Sequence, residues 1–320
     1  MRTHGIVLGK FMPPHLGHLY LIDFARHYAD EVTVVVGSLS GEPLAGELRF
    51  AWMRELCPQV RVVHLTDENP QLPDQHPDFW NIWKASLQKV VESRIDLVFA
   101  SEGYGAPLAE VLGARFVPAN GMRTLVPISA TEVRSNPAAC WTYLPAPVRA
   151  HYAKRISVFG PESTGKSTLT ARLAAHFQST WVPEFARIWL EARGGQVCLE
   201  DMPIISKGQR ASEEALARQG GPLLFCDTDP SATPLWSQEL FGQVPDQLEQ
   251  AVGKYALTLL CAPDVAWVAD AVRYCPDGGE RFYLACRARL QCEGRRVVEI
   301  RGDWENRWQT ALKAVESIIE

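Results

Sequence analysis

The strongest chemical signal in this sequence is a glycine-rich segment of the kind that binds phosphate. Residues 160–167 read GPESTGKS and match the pattern GxxxxGK(S/T) at every fixed position. The glycines let backbone N–H groups surround phosphate oxygens, and the amino end of the following helix adds partial positive charge. We expect the Lys166 ammonium to neutralise the terminal phosphates and the Ser167 hydroxyl to hold Mg²⁺. The phosphate-binding residues predicted here are Gly160, Glu162, Ser163, Thr164, Gly165, Lys166, Ser167 and Thr168.

Two acidic residues of the second half could complete a kinase for a small molecule. A regulatory GTPase would carry an NKxD segment, and the sequence contains none. Asp227 follows an apolar strand, at the end where ligands bind in open α/β sheets. It is therefore a candidate to orient Mg²⁺ or to accept the proton of an acceptor hydroxyl. Asp229 is a candidate substrate contact at the same strand end, although an Asp-Pro pair also starts helices well.

Three further charged residues are predicted near the transferred phosphate or the acceptor. Arg273 stands beside a stretch that contains glycine and proline, residues 276–279, which predicts a lid that brings a guanidinium to the transferring phosphoryl group. A solvated loop arginine is the alternative. Glu184 and Arg187 are three residues apart on a predicted helix, and this spacing fits either substrate contact or a structural ion pair.

A second group of candidate residues lies in the first half of the chain. Residues 9–18 read GKFMPPHLGH, directly after an apolar strand, and residues 128–134 read ISATEVR. Two imidazoles at the start of a helix can donate to phosphate oxygens, and hydroxyls and an arginine at a second helix start can do the same. A zinc site is disfavoured because no pattern places a third or fourth ligand. The residues predicted to bind phosphate or take part in the chemistry are Gly9, Lys10, Phe11, His15, His18, Ser129, Thr131 and Arg134.

The elements that must position these residues alternate along the chain. Short β-branched strands are predicted at 5–8, 31–37, 60–65, 96–100 and 115–117, and again at 155–159, 223–227, 255–261 and 296–300. Helical stretches lie between them, which favours parallel sheets covered by helices. A proline-containing break over residues 135–148 interrupts the alternation. We therefore predict an α/β protein of two domains, residues 1–152 and residues 153–320.

The composition excludes several classes of protein. The 320 residues are 47% hydrophobic and 22% charged, as in ordinary globular chains. No apolar stretch approaches the length that spans a bilayer, and the amino terminus resembles a first strand more than a signal peptide. The net charge of −5 argues against nucleic acid as a main partner. The eight cysteines include no CxxC pair, which favours free thiols and a cytoplasmic location.

The two motifs together carry a family resemblance. HxGH followed by ISxTxxR resembles the nucleotidyltransferase superfamily, and this half followed by a P-loop kinase half resembles the bifunctional NadR family. Shorter stretches agree with it, at residues 46–52, 78–83, 101–105, 226–229 and 267–273. The resemblance implies an N-terminal Rossmann-like nucleotidyltransferase domain and a C-terminal P-loop kinase domain, each with a parallel sheet.

The resemblance also implies two reactions that use ATP as co-substrate and Mg²⁺. The C-terminal domain would phosphorylate nicotinamide riboside to nicotinamide mononucleotide (NMN), and the N-terminal domain would adenylate NMN to NAD, releasing pyrophosphate. The catalytic residues implied are His15, His18, Arg134, Lys166, Asp227 and Arg273. Trp80 and Trp83 could stack on the cationic nicotinamide ring, unless they are ordinary core tryptophans. Glu102 and Tyr104, after a strand end, are further substrate contacts.

Two departures and two alternatives accompany this interpretation. Members that repress transcription carry an additional N-terminal helix-turn-helix domain, and this chain begins at the first catalytic strand, so no DNA binding is expected. The lid reads Asp-Ala-Val-Arg where Asp-Gly-x-Arg is expected. One alternative pairs a similar nucleotidyltransferase with a kinase of coenzyme A synthesis. The other is a nucleotide-sensing regulator without turnover. The partners expected are small molecules, with no membrane, and a homo-oligomer is left open.

Overall fold

The chain divides into two units in the computed structural model, which describes residues 2–119, 125–248, 253–268, 274 and 279–319. The first unit is Met1–Val148 and the second is Arg149–Glu320. The helix Ala146–Tyr152 spans the division. The boundary predicted after residue 152 coincides with the end of this helix.

The first unit is a parallel five-stranded sheet covered by helices. Its strands are β1 (His4–Gly9), β2 (Glu31–Gly37), β3 (Arg61–Leu65), β4 (Leu97–Ala100) and β5 (Arg115–Pro118), in the order β3-β2-β1-β4-β5. The helices are α1 (Leu16–Tyr28), α2 (Gly46–Leu56), α3 (Phe79–Val90), α4 (Gly105–Leu112) and α5 (Ala130–Ser135), followed by α6 (Ala146–Tyr152). The strand order reverses beside β1, which is where open α/β sheets bind ligands.

The second unit has the same general plan. Its strands are β6 (Lys154–Phe159), β7 (Thr180–Val182), β8 (Leu223–Asp227), β9 (Leu257–Cys261) and β10 (Val297–Ile300), all parallel, in the order β10-β9-β6-β8-β7. The helices are α7 (Lys166–His176), α8 (Phe185–Ala192), α9 (Asp201–Gln219), α10 (Ala232–Phe241), α11 (Gly279–Cys292) and α12 (Trp304–Ile319). The α/β fold class with two parallel sheets is confirmed.

The cores explain why the strands are apolar along their whole length. In β2, every residue from Val32 onward is buried, and alternate side chains enter two different apolar clusters. Val34 and Val36 pack towards α1 and α2, whereas Val35 packs towards α3 and α4. A strand covered on both faces has no side that favours polar residues. Within the part of the chain that the structure describes, no helix combines the length and apolar character required to cross a membrane.

Candidate nucleotide sites of the two units

The HxGH segment forms the turn from β1 into α1. The imidazoles of His15 and His18 stack with ring centroids 3.7 Å apart, and the His15 backbone N–H donates to His18 Nδ1 at 3.3 Å. The Phe11 ring lies edge-on to His18 at 5.0 Å. The two histidines therefore lie together at the amino end of α1, where partial positive charge favours an anion.

The second motif of the first half reaches the same turn. Arg134, on α5, donates from its guanidinium to the Met12 carbonyl oxygen at 2.5 Å and to Thr131 Oγ1 at 3.1 Å. The Ser129 hydroxyl accepts from the Glu132 backbone N–H at 3.2 Å and caps α5. The structure thus brings together two segments that lie more than 100 residues apart in the sequence, as the pairing of motifs predicts.

A cavity of about 510 Å³ lies at the carboxyl end of the first sheet. Trp83 Nε1 donates to the Pro70 carbonyl oxygen at 2.9 Å, and the Tyr104 hydroxyl donates to the Leu8 carbonyl oxygen at 2.5 Å. Burial raises the pKa of Tyr104, so its hydroxyl keeps this proton. A smaller adjoining cavity is lined by His15, Ser129 and Thr131 among others. The predicted residues that line the larger cavity are Gly9, Lys10, Phe11, His18, Trp80, Trp83, Glu102, Tyr104 and Arg134.

Sequence reasoning missed two charged residues beside this cavity. Glu42 Oε1 lies 2.9 Å from the Lys10 ammonium, and Glu42 also bonds to Arg49, whose side chain is completely buried. Burial alone would raise the pKa of Glu42, but hydrogen bonds from Lys10 and the Leu39 N–H and the charge of Arg49 hold it below its ordinary value. The Lys10 ammonium is therefore paired with a carboxylate. The only signal was the stretch 46–52, which identified no role for its arginine.

The phosphate loop of the second unit has the backbone that its glycines predict. Gly160 has φ +135°, and a Cβ there would lie 2.6 Å from the Cys261 carbonyl oxygen. Gly165 has φ +80°, and a Cβ there would lie 2.6 Å from the Trp304 ring. The Lys166 ammonium donates to the Pro161 carbonyl oxygen at 2.8 Å. A side chain at Gly160 would collide with the backbone, and one at Gly165 would be strained by the positive φ and would displace the Trp304 ring.

Asp227 ends β8 as a buried carboxylate close to the phosphate loop. Burial, reinforced by the charge of Glu184, raises its pKa to about 6, while Lys166, the Ser167 hydroxyl and Arg187 act in the opposite direction. Its Oδ1 atom is buried and has no hydrogen-bond partner among the described residues. Such an acceptor is suited to a cation or to a hydroxyl proton from a substrate.

The carboxylate of Asp229 is bonded to protein groups on both oxygens. Oδ2 accepts from the Ser157 hydroxyl at 2.6 Å and from Arg295 Nη1 at 2.7 Å, and Oδ1 accepts from the Ser231 N–H at 2.8 Å and from Arg295 Nη2 at 3.2 Å. The sequence predicts that the Asp229 side chain contacts the substrate. Its hydrogen bonds hold the turn after β8, and Asp229 also lines the cavity beside the phosphate loop, so its contact with the substrate stays a prediction.

The cavity beside the phosphate loop has a charged edge and an apolar interior. Its volume is about 150 Å³, and Glu184 and Arg187 both line it. Arg187 Nη1 lies 3.5 Å from Glu191 Oε1, so Arg187 forms an ion pair with Glu191, one turn along α8. Sequence reasoning missed the apolar part because its side chains come from three separate helices. They are Leu190 on α8, Met202 and Ile205 on α9, and Trp236 and Leu240 on α10.

Arg273 lies outside the described residues. The residues on either side of its segment are bonded to the phosphate loop. The Val268 N–H donates to Ser163 Oγ at 2.7 Å, and the Tyr274 N–H donates to Glu162 Oε2 at 2.9 Å. The role expected for Arg273 therefore remains a prediction.

Comparisons with known proteins agree with this arrangement. Residues 6–136 match the family model described as cytidylyltransferase-like, and residues 155–307 match that of an AAA domain. The trifunctional NAD biosynthesis/regulator protein NadR of Escherichia coli (strain K12) is 27% identical over 342 residues, covering 100% of this chain and 83% of that protein.

Two crystal structures share the fold over almost the whole chain. A NadR protein in complex with NAD and AMP-PNP has a TM-score of 0.77 at 24% identity, covering 99% of this chain and 96% of that one. A NadR protein in complex with NR has a TM-score of 0.78 at 23% identity, with the same coverage. The curated relatives confirm the resemblance to NadR proteins to which the two motifs point, and the two crystal structures show that the chain shares their fold.

Proposed function

We propose that the chain is a bifunctional enzyme that converts nicotinamide riboside to NAD in two ATP-dependent steps. The observation that carries the proposal is the presence of two phosphate-binding turns in one chain, each at the carboxyl end of the central strand of a parallel sheet and each beside a cavity. The NadR relatives, one crystallised with NAD and AMP-PNP and another with NR, support this choice of substrates.

In the second unit, the proposed reaction is phosphoryl transfer to the riboside 5′-hydroxyl. The hydroxyl oxygen attacks the γ-phosphorus of ATP, the bond between that phosphorus and the bridging oxygen breaks, and ADP leaves. Asp227 accepts the hydroxyl proton, which its raised pKa favours. The loop N–H groups and the Lys166 ammonium balance the charge on the phosphates. The apolar interior of the cavity would hold the pyridine ring.

In the first unit, the proposed reaction is adenylyl transfer. A phosphate oxygen of NMN attacks the α-phosphorus of ATP, the bond to the β-phosphate oxygen breaks, and pyrophosphate leaves. His15, His18 and Arg134 surround the turn at which the triphosphate would lie, and they act by positioning and charge neutralisation. Trp80 and Trp83 would stack on the nicotinamide ring of the acceptor.

A divalent cation fits the second unit. The Ser167 hydroxyl and the buried Oδ1 of Asp227 are hard oxygen donors at the loop, which is the donor chemistry that Mg²⁺ prefers when it is held mainly by phosphates. Among the described residues there is no cluster of three or more His, Cys, Asp or Glu side chains that would hold an ion independently. When bound, Mg²⁺ would neutralise phosphate oxygens. We also propose a cytoplasmic location, on the thiol pattern of the sequence.

The test is a pair of assays on one purified protein. Nicotinamide riboside with ATP and Mg²⁺ should yield ADP and NMN, and NMN with ATP should yield pyrophosphate and NAD. Lys166→Ala should suppress the first reaction and leave the second, and His18→Ala should do the reverse. Consumption of phosphopantetheine instead of NMN would favour the coenzyme A alternative, and a lack of turnover with any acceptor would refute the proposal.

A further inference from the structure

Two buried arginines make the same set of contacts in the two units. Arg49 is 0% exposed and Arg307 is 2% exposed, and both are among the largest fully buried side chains of the described residues. Each is the fourth residue of its helix, since α2 begins at Gly46 and α12 begins at Trp304. Neither belongs to the HxGH segment or to the P-loop, and the stretch 46–52, which contains Arg49, assigns no role to it.

Arg49 connects the turn after β1 to the end of β2 and to the loop that precedes α2. Its Nε donates to the Leu44 carbonyl oxygen, five residues earlier, at 2.9 Å. Nη1 donates to the Gly37 carbonyl oxygen at 3.1 Å, at the end of β2, and also to the carbonyl oxygen of Lys10. Nη2 bonds to the Glu42 carboxylate. One guanidinium thus holds a loop carbonyl, a neighbouring strand end and a carboxylate.

Arg307 repeats this pattern in the second unit. Its Nε donates to the Gly302 carbonyl oxygen, again five residues earlier, at 2.9 Å. Nη1 donates to the Thr164 carbonyl oxygen in the P-loop at 3.1 Å. Nη2 donates to the Ala262 carbonyl oxygen at 2.8 Å, just after β9, and to the Asp264 carboxylate. The four partners of Arg307 correspond in kind to those of Arg49, although the carbonyl at the strand end is bound by Nη2 here and by Nη1 in Arg49.

The shared pattern is better suited to fixing geometry than to stabilising the fold. Removing a guanidinium and a carboxylate from water is costly, and apolar residues of similar volume often serve stability equally well. A planar fork with five N–H donors, by contrast, can hold several carbonyl oxygens at fixed angles, which lysine cannot do. In both units one of those oxygens belongs to the turn that is to bind phosphate.

We propose that Arg49 and Arg307 are positioning residues, each of which holds one phosphate-binding turn in the geometry that transfer requires. Arg49 acts on Lys10 twice, through its carbonyl and through Glu42, which bonds to the Lys10 ammonium. Arg307 acts on Thr164, the residue before Gly165 and Lys166. This inference rests on the proposed function, because it assumes that these turns bind the reacting phosphates.

The test exploits the presence of both arginines in one chain. Arg49→Lys should lower kcat of adenylyl transfer about 10- to 100-fold, because displacement of reacting groups by up to about 1 Å has that effect. The KM of Arg49→Lys for NMN should stay within about threefold of the wild-type value, because the proposed stacking on Trp83 is untouched. Its kinase activity should be unchanged. Arg307→Lys should show the opposite selectivity. Arg54→Lys, at an exposed position on α2, is the matched control and should alter neither reaction.

A purely structural role predicts different results. If Arg49→Lys and Arg307→Lys merely loosened their units, the loss of activity would follow the loss of stability and would recover when the assay temperature was lowered. Amide hydrogen exchange of α2 and α12 measures that stability directly. Unchanged kcat in both variants, or loss that vanishes on cooling, overturns the proposal. The wild-type assays separate this result from failure of the proposed function, which would leave the unmodified protein inactive.

Discussion

The buried carboxyl of Glu213 provides a quantitative test of the electrostatics of the second unit. Glu213 is 1% exposed on α9, and its carboxylate accepts from the Tyr255 hydroxyl at 2.8 and 3.0 Å. Burial raises its pKa from 4.5 to about 7, and the charge of Asp229 acts in the same direction. The Tyr255 hydrogen bond, the charge of Arg155 and a hydrogen bond with Gln209 oppose the rise. The ionised form is therefore disfavoured in the folded protein.

The sign and size of the effect on stability follow from this pKa. The folded protein retains the proton between pH 4.5 and about 7, whereas the unfolded chain releases it, so stability falls as pH rises through this window. The full difference is about 3 kcal/mol in the free energy of unfolding. Glu213→Gln cannot ionise and its amide oxygen still accepts from Tyr255. We expect the variant to match the wild type at pH 4.5 and to exceed its stability by up to about 3 kcal/mol at pH 8.

Hydrogen exchange resolved by mass spectrometry can measure this difference within the second unit, on peptides from β8 and α9, with both proteins compared at each pH. Glu214→Gln is the matched control, because Glu214 is the next residue of the helix and its side chain is 46% exposed. Its effect should stay within about 0.5 kcal/mol at all pH values. A stability difference for Glu213→Gln that does not grow with pH, or a variant less stable at pH 8, would refute the reasoning.

Three predictions concern the proposed reactions. Trp83→Ala should raise the KM for NMN about tenfold through loss of the stacking face, and Trp83→Phe, which keeps a smaller face and loses the bond to Pro70, should fall between it and the wild type. Asp227→Asn should lower kinase kcat at least about 100-fold, and retention of activity within fivefold contradicts the role of the carboxylate. Arg134→Lys should lower adenylyl transfer about 100-fold; an unchanged kcat would place the triphosphate away from α5.

The sequence was sufficient to predict the elements that carry the phosphate-binding turns. Continuous β-branched runs before each turn indicated buried parallel strands, and the predicted range 31–37 coincides with β2. The approach of Arg134 to the HxGH turn was also predictable, because two short motifs with phosphate chemistry occurred on one α/β half. The local sequence is enough to predict the position of a turn wherever one segment contains both the strand and the turn that follows it.

Other features depend on contacts between distant segments. Helices α10 and α11 were not predicted, since Pro234 lies in the first turn of α10 and α11 follows a stretch of glycine and proline. An isolated arginine in a sequence is ordinarily interpreted as exposed, so the burial of Arg49 and Arg307 could not be inferred. The same limit applies to Asp229, whose partner Arg295 lies 66 residues away.

The groups that would bind the donor lie in turns, whereas those that would contact the acceptor lie on helices, so the two can change separately in evolution. The donor triphosphate would be handled by turns that follow the central strands β1 and β6, where neighbours on both sides restrict movement. The acceptor would meet side chains of α3 in one unit and of α8 to α10 in the other. Acceptor preference can therefore drift, or be redesigned, by substitutions on these outer helices while the transfer machinery stays intact.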